Sequence, residues 1–238
     1  LLKWFLAMGI EIDELWGQTE LGIATSTLTG VIRFGTVGKA FAGCEIRISG
    51  EGEIVARSDG QFSGYLNLPE KTAETVREGW IHTGDVGELD EEGYLSITDR
   101  LKDIIITAGG KNITPSVMEN ELKFSPYISD AIIIGDQRKY LTCLIMIDQE
   151  NVEHYAQTHS VPFTDYRSLC VRKEIVELVG SEVDRVNEGF SSVEQVKKFR
   201  LIDVLLTAED EELTPTMKLK RSFVSEKYSA LIDSMYVG

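Results

Sequence analysis

The chain has 238 residues, of which 42% are hydrophobic, and its formal net charge is −15. This length suffices for one large domain or two modest ones with their own cores. The excess of acidic residues argues against nucleic acid and anionic membranes as general partners. No apolar run approaches the roughly 18 residues of a membrane span, and the three scattered cysteines are typical of reduced thiols in a cytoplasmic protein.

The first part of the chain predicts mostly short strands. Residues 1–10 resemble the end of an amphipathic helix that runs into a turn. Residues 10–57 predict several strands separated by glycines. A short helix is expected around 72–77, and the segments 86–89 and 94–98 predict a β-hairpin.

The pattern changes at residues 99–103, where we predict a domain boundary. The apolar run 104–106 predicts a buried strand, and Thr114 with Pro115 predicts a helix start that continues to about residue 124. The rest of the chain predicts strands at 130–136 and 141–148, helices at 149–159 and 165–189, a strand at 196–206, an exposed loop at 207–221 and a helix at 222–235. These elements indicate an α+β protein.

Four segments combine residue types that suit phosphate chemistry. They are WGQTE at 16–20, HTGD at 82–85, TDRLKDIIITAGGK at 98–111 and TPTMKLKR at 214–221. In this order they resemble the AMP-forming acyl-CoA synthetases of the adenylate-forming superfamily, and the long-chain fatty-acid ligases within it. The resemblance implies the β-rich tail of a large AMP-binding domain over 1–98, a hinge over 99–103, and over 104–238 a small α+β lid domain with a short sheet flanked by helices.

The resemblance also implies roles for residues before the hinge. Trp16 would stack on the adenine side, Thr19 would bond the α-phosphate and Glu20 would ligate Mg²⁺, which prefers oxygen ligands. Asp85 would accept hydrogen bonds from the ribose hydroxyls, and Arg100 would be a second ribose or phosphate contact. Alone, WGQTE would indicate a strand end with a buried tryptophan and a surface glutamate.

Further roles follow at and beyond the hinge. Lys102 would be the hinge residue itself, since a flexible cation can satisfy different partners in two lid positions. Gly109 would line the pantetheine channel of coenzyme A, Lys111 is a further cofactor-binding candidate, and Lys218 would be the catalytic lysine. A tight turn would also explain Gly109 and Gly110, and a solvated basic loop would also explain Lys218.

Because the net charge is negative, any phosphate must be held by local basic clusters. The sequence offers two such clusters: Arg100, Lys102 and Lys111, and Lys218, Lys220 and Arg221. The histidines are expected to be structural or on the surface. His82 is predicted to be satisfied by local hydrogen bonds, and His154 and His159 lack metal-ligand spacing.

Nothing in the sequence resembles the Ser/Thr/Gly-rich phosphate loop of the superfamily. We therefore expect the C-terminal part of a synthetase, inactive alone, that works with its upstream portion on ATP, a fatty acid and CoA. Any membrane contact is expected to be peripheral and to come through the parent protein. Two alternatives stay open: a fatty acyl-AMP ligase that loads a carrier protein, and a non-catalytic nucleotide- or CoA-binding fragment. Asp85, Arg100 and Lys218 together argue against a module with decayed sites.

Overall fold

The computed structural model describes residues 2–29, 31–206, 211 and 220–237. The chain divides into two compact units, Leu1–Lys102 and Asp103–Gly238. The dividing point falls within the segment 99–103, in a short 3-10 turn over Leu101–Asp103. Both units mix helices with sheets, which confirms the predicted α+β class.

The first unit contains two antiparallel sheets and two short helices. Its elements are α1 (Leu2–Ala7), β1 (Leu15–Gln18), β2 (Gly22–Ser26), β3 (Lys39–Ala40), β4 (Cys44–Ile48), β5 (Glu53–Ser58), α2 (Pro69–Thr75), β6 (Val76–Arg77), β7 (Trp80–Leu89) and β8 (Leu95–Arg100). Strands β1–β3 form one sheet and β4–β8 form the other. The predicted hairpin is confirmed as β7–β8, whereas the predicted helix lies slightly earlier, with Pro69 in its first turn.

Strand β7 is the centre of the larger sheet. Strand β5 pairs along one edge, and β6 and β8 share the other. Its burial alternates, so that Ile81, Thr83 and Asp85 all face the interior, as the two-residue period of a strand requires. Ile81 packs in the core with Ile54 and Leu95. The same alternation therefore buries both the core and a carboxylate.

The second unit packs helices on both faces of a small sheet. Its elements are β9 (Ile105–Ile106), β10 (Asn112–Ile113), α3 (Pro115–Lys123), β11 (Ile128–Ile134), β12 (Leu141–Ile147), α4 (Gln149–Thr158), α5 (Tyr166–Cys170), α6 (Lys173–Asn187), β13 (Val196–Leu201), α7 (Arg221–Lys227) and α8 (Ser229–Ser234). Strands β11 and β12 are antiparallel and β13 joins β12 in parallel, while β9 and β10 form a separate two-stranded ribbon.

Strand β12 shows why this unit has a large core. Every one of its residues is buried, which is typical of a strand covered on both faces. Cys143 and Ile145 belong to the cluster that includes residues of α3–α6, whereas Leu144 packs with Val224 of α7 and Ile232 of α8. The unit is thus a helix–sheet–helix sandwich.

Two segments that were each predicted to form one continuous helix are divided into two helices in the structure. The segment 165–189 is not one helix but α5 followed by α6. The apolar period ran through the break because Leu169 and Ile175, which lie on different helices, are both fully buried. The closing segment is likewise divided at Tyr228, between α7 and α8.

Two predicted strands are shorter than expected. The run 104–106 contributes only Ile105 and Ile106, which form β9. In the described structure β9 pairs only with β10, and Ile106 is 45% exposed. The segment 196–206 is a strand only as far as Leu201. At the start of α3 the predicted boundary is confirmed, but the Thr114 side chain makes no capping hydrogen bond.

Candidate functional site

A cleft of about 560 Å³ opens in the first unit beside the β1–β2 turn. It brings together three predicted residues from two motifs: Thr19 and Glu20 of WGQTE, and Arg100 of the segment 98–111. Gly17 precedes them where β1 bulges, and a side chain there would collide with the carbonyl oxygen of Gly22. The glycine of WGQTE is therefore required by the close approach of β1 and β2.

Asp85 is the buried anion of this site, with only 4% of its surface exposed. Trp16 Nε1 and Gln18 Nε2 donate to its Oδ2 over 3.0 Å and 3.1 Å, and Arg100 Nε lies 2.8 Å from its Oδ1. Asp85 and Arg100 are direct partners in the β7–β8 register. A buried carboxylate needs such partners to offset its desolvation. Two acceptor positions of Oδ2 are thus filled, and one on Oδ1 is left for a ligand.

Trp16 lies in the core of the first unit, with 9% of its surface exposed. Its indole N–H donates to Asp85 Oδ2, so the buried tryptophan helps to hold the carboxylate in one orientation. Adenine stacking on Trp16 stays a prediction, limited to the small exposed part of the ring.

Gln18 was missed by sequence reasoning, which treated its position in WGQTE as variable. Its Nε2 also donates to the Thr83 carbonyl over 2.9 Å, and so joins β1 to β7. Thr83 in turn accepts the Asp85 N–H through its hydroxyl over 3.1 Å. The signal for this role in the sequence was weak, because the Gln18 amide can donate two hydrogen bonds but lies 67 positions from Asp85.

Glu20 presents a half-buried carboxylate to the cleft. Tyr65 Oη donates to its Oε1 over 2.5 Å. This hydrogen bond, followed by desolvation, raises the pKa of the Tyr65 phenol. Among the residues the structure describes, no group of three or more His, Cys, Asp or Glu side chains is arranged to hold a metal ion. A single carboxylate suits Mg²⁺, whose remaining ligands are usually phosphate oxygens and water.

His82 lines the same cleft but is held locally, as predicted. Its Nδ1 lies 2.7 Å from Glu53 Oε2, and the Gly84 N–H donates to Glu53 Oε1 over 2.9 Å. Glu53 is 7% exposed. This pairing satisfies a buried carboxylate and fixes the backbone beside Asp85.

The predicted residues of the Gly-Gly-Lys segment lie in the second unit, in the turn between β9 and β10. Gly110 has a φ of +77°, which favours glycine, whereas a side chain at Gly109 would meet only Thr107 Oγ1, at 3.8 Å. Lys111 Nζ lies 3.1 Å from Glu194 Oε1. A hydrogen bond from Ser191, followed by the Lys111 contact, lowers the pKa of Glu194. Lys111 is therefore part of an ion pair in this unit.

The second predicted basic cluster is only partly described. Lys218, the predicted catalytic residue, lies outside the described residues. Lys220 Nζ donates to the Glu211 carbonyl over 2.9 Å. The Arg221 guanidinium is engaged by other residues of the second unit.

The partners of Arg221 come from three separate elements. Its Nη2 donates to Glu119 Oε1 of α3 and its Nη1 to the Ile133 carbonyl of β11, both over 2.6 Å. Its Nε lies 3.7 Å from Asp103 Oδ1. Lys102 is exposed in the 3-10 turn immediately before Asp103.

Residues 102–238 match the family model described as the AMP-binding enzyme C-terminal domain. The chain belongs to this family. The AMP-binding enzyme C-terminal domain thus covers the second unit, and the cleft lies in the residues that precede it. Among the helices that the structure describes, none combines the length and apolarity needed to cross a bilayer.

Two named relatives are similar to this chain over nearly its whole length. The long-chain-fatty-acid–CoA ligase FadD15 of Mycobacterium bovis is 38% identical over 96% of this chain and 38% of its own length. The long-chain-fatty-acid–CoA ligase ACSBG2 of Xenopus laevis is 36% identical over 99% of this chain and 35% of its own length. The chain therefore spans well under half of the curated relatives it matches.

A solved structure supports the fold of both units. The o-succinylbenzoate coenzyme A synthetase of Bacillus subtilis, in complex with ATP and magnesium ion, aligns with a TM-score of 0.69 and 23% identity. The alignment covers 93% of this chain and 42% of that one. The arrangement of helices and sheets thus resembles that of this synthetase.

Proposed function

We propose that this chain is the C-terminal part of a cytoplasmic, AMP-forming long-chain fatty-acid–CoA ligase. In this proposal residues 1–98 complete the large AMP-binding domain, 99–103 form the hinge and 104–238 form the lid. The observation that supports it most directly is the cleft, which Thr19, Glu20 and Arg100 line and in which Arg100 is paired with the buried Asp85. The names of the relatives support the choice of fatty acid and CoA as substrates.

The cleft has the capacity and the polar groups for a nucleotide. Its volume of about 560 Å³ falls within the usual range for small-molecule sites. A ribose hydroxyl would donate to Asp85 Oδ1, because Trp16 and Gln18 already occupy Oδ2. The Arg100 side chain is 54% exposed, so it can turn toward a phosphate without leaving a buried position.

Phosphate binding would fall to the β1–β2 turn. The Thr19 hydroxyl would donate to the α-phosphate, and Glu20 would hold Mg²⁺ together with phosphate oxygens and water. Mg²⁺, when bound, supplies positive charge against the phosphates. The half-buried Glu20 carboxylate fits this task because it faces the cleft and offers oxygen, the ligand that Mg²⁺ prefers.

The proposed reaction has two steps. The fatty carboxylate attacks the α-phosphorus of ATP, pyrophosphate leaves, and an acyl-adenylate forms while Lys218 stabilises the developing charge. The lid then turns about Lys102 and presents Gly109. The CoA thiol attacks the acyl carbonyl, gives up its proton, and AMP leaves with the bonding electrons. Holding the reactants in line supplies much of the rate gain.

Half-reactions of the full-length ligase test this proposal. Lys218→Ala should reduce ATP–pyrophosphate exchange by about a hundredfold or more, the scale for losing one preorganised charge contact, and should spare thioester formation from supplied acyl-adenylate. Lys220→Ala is the matched control, since its amine bonds a backbone carbonyl. Normal exchange in Lys218→Ala would refute the lysine's role. Exchange without any CoA thioester in the unmodified protein would instead favour a ligase that loads a carrier protein.

Nucleotide binding tests the cleft separately. Asp85→Asn would keep an oxygen for the donors of Trp16 and Gln18 but place an amide N–H₂ at the Oδ1 position, where it faces Arg100 and cannot accept from a ribose hydroxyl. AMP binding should weaken roughly tenfold to a hundredfold, the scale of a lost charge-assisted hydrogen bond. Glu45→Gln is the control, because Glu45 pairs with Arg57 over 2.6 Å elsewhere on the same sheet. Calorimetry that finds equal AMP affinity in the Asp85 variant and the control would exclude Asp85 from the site.

A further inference from the structure

The hydroxyl of Tyr65 is bonded to the predicted metal ligand Glu20. The distance of 2.5 Å is typical of a charge-assisted bond from a neutral hydroxyl to a carboxylate. Both residues line the same cleft. Tyr65 belongs to the segment SGYLNLP, to which the sequence motifs assign no chemistry.

The position of Tyr65 is fixed from two sides. Its N–H donates to Thr72 Oγ1 of α2 over 2.9 Å, and its ring packs edge-on against Phe62 with centroids 4.9 Å apart. The Phe62 N–H in turn donates to the Glu20 carbonyl over 2.8 Å. Gly64 completes the turn with a φ of +137°, and a side chain there would press on Thr72. The loop thus carries the hydroxyl to the carboxylate in a determined geometry.

Among the residues that the structure describes, a single hydrogen bond engages the Glu20 carboxylate, at Oε1. Carboxylates that bind metals are commonly held by a hydrogen bond from a neighbouring side chain, which fixes their orientation. We propose that Tyr65 is a positioning residue: its hydroxyl holds Glu20 Oε1 so that Oε2 is presented to a divalent cation that accompanies the nucleotide phosphates. This inference rests on the proposed function and adds a residue to it.

The test measures ATP binding by the full-length ligase at increasing Mg²⁺ concentration, by titration calorimetry. In Tyr65→Phe, the Mg²⁺ concentration for half-maximal ATP binding should rise about tenfold or more, the usual effect of losing such a supporting contact. Metal-free AMP binding should not change. Tyr94→Phe is the matched control, because it removes a hydroxyl that accepts the Val31 N–H elsewhere in the same unit.

A double-mutant cycle separates positioning from general damage. In a Glu20→Gln background, Tyr65→Phe should have no further effect on the Mg²⁺ requirement, since the two residues act through one contact. An unchanged or lower Mg²⁺ requirement in Tyr65→Phe would overturn the inference, as would an equal loss of metal-free AMP binding. If the unmodified ligase binds ATP without any response to Mg²⁺, the metal role of Glu20 fails together with this inference. If the unmodified ligase and Tyr65→Phe need the same Mg²⁺ concentration for ATP binding, the inference about Tyr65 fails but the metal role of Glu20 stands.

Discussion

Alanine substitutions at two adjacent glycines distinguish a turn requirement from a functional one. Gly110 has a φ of +77°, and an L-residue in the left-handed region costs about 1–2 kcal/mol. At Gly109 an added Cβ would meet only Thr107 Oγ1 at 3.8 Å. Alanine there should be neutral or stabilise the second unit by about 0.4–1 kcal/mol, through the lower entropy of the unfolded chain.

The assay must follow the second unit alone. Trp4, Trp16 and Trp80 all lie in the first unit, so tryptophan fluorescence reports only on that unit. Hydrogen exchange of the β11 and β12 amides reports on the second unit. Gly110→Ala should speed this exchange and lower the melting temperature of the unit by about 3–6 °C, whereas Gly109→Ala should do neither.

The functional half of the experiment tests the proposed ligase activity in the full-length protein. Gly109→Ala should leave pyrophosphate exchange intact and slow thioester formation from supplied acyl-adenylate by about a hundredfold, the scale for displacing a reacting group by roughly 1 Å. Normal thioester formation in this variant would refute the channel role of Gly109. A stable Gly110→Ala variant would refute the reasoning from backbone geometry.

Two further predictions concern buried side chains of the second unit, the second of them by comparison with Cys44 of the first unit. Arg221→Met should destabilise the second unit by about 3 kcal/mol, because Glu119, 8% exposed, would lose its salt bridge to Arg221 while buried. Chemical denaturation followed by circular dichroism would measure this loss, and a change below about 0.5 kcal/mol would contradict it. Native alkylation at pH 8 should label Cys44 well before Cys143 and Cys170. Burial raises the pKa of Cys143 well above its usual range and that of Cys170 to about 12, so both stay protonated thiols; rapid labelling of either in the folded chain would contradict this burial.

Periodicity in the sequence was sufficient to predict elements with a strong local signal. The β7–β8 hairpin and strands β11 and β12 occur where alternating or continuous apolar residues placed them. It failed at the α5–α6 break, because Leu169 and Ile175 are buried by tertiary packing whether or not one helix joins them. Burial determines the apolar period, whereas the break reflects local backbone geometry.

The motifs pointed to some residues that line the cleft, among them Thr19, Glu20 and Arg100, but they did not predict how the side chains there are bonded. Trp16 and Asp85 are 69 positions apart and Glu20 and Tyr65 are 45 apart, so their contacts depend on how the two sheets pack. Arg221 shows how neighbours in sequence and neighbours in space can differ. Its neighbours in sequence suggested a phosphate cluster, whereas its neighbours in space are Glu119 and the Ile133 carbonyl.

The alternation of burial along β7 fixes which of its side chains face the interior beside the cleft. Its inward positions are every second residue: Ile81, which packs in the core, then Thr83 and Asp85. Inserting or deleting one residue between Ile81 and Asp85 would turn every later side chain of β7 to the opposite face of the sheet. The Asp85 carboxylate would then point away from Trp16, Gln18 and Arg100. Length changes during evolution should therefore accumulate in the Asp90–Tyr94 bend and be absent from the stretch between Trp80 and Asp85.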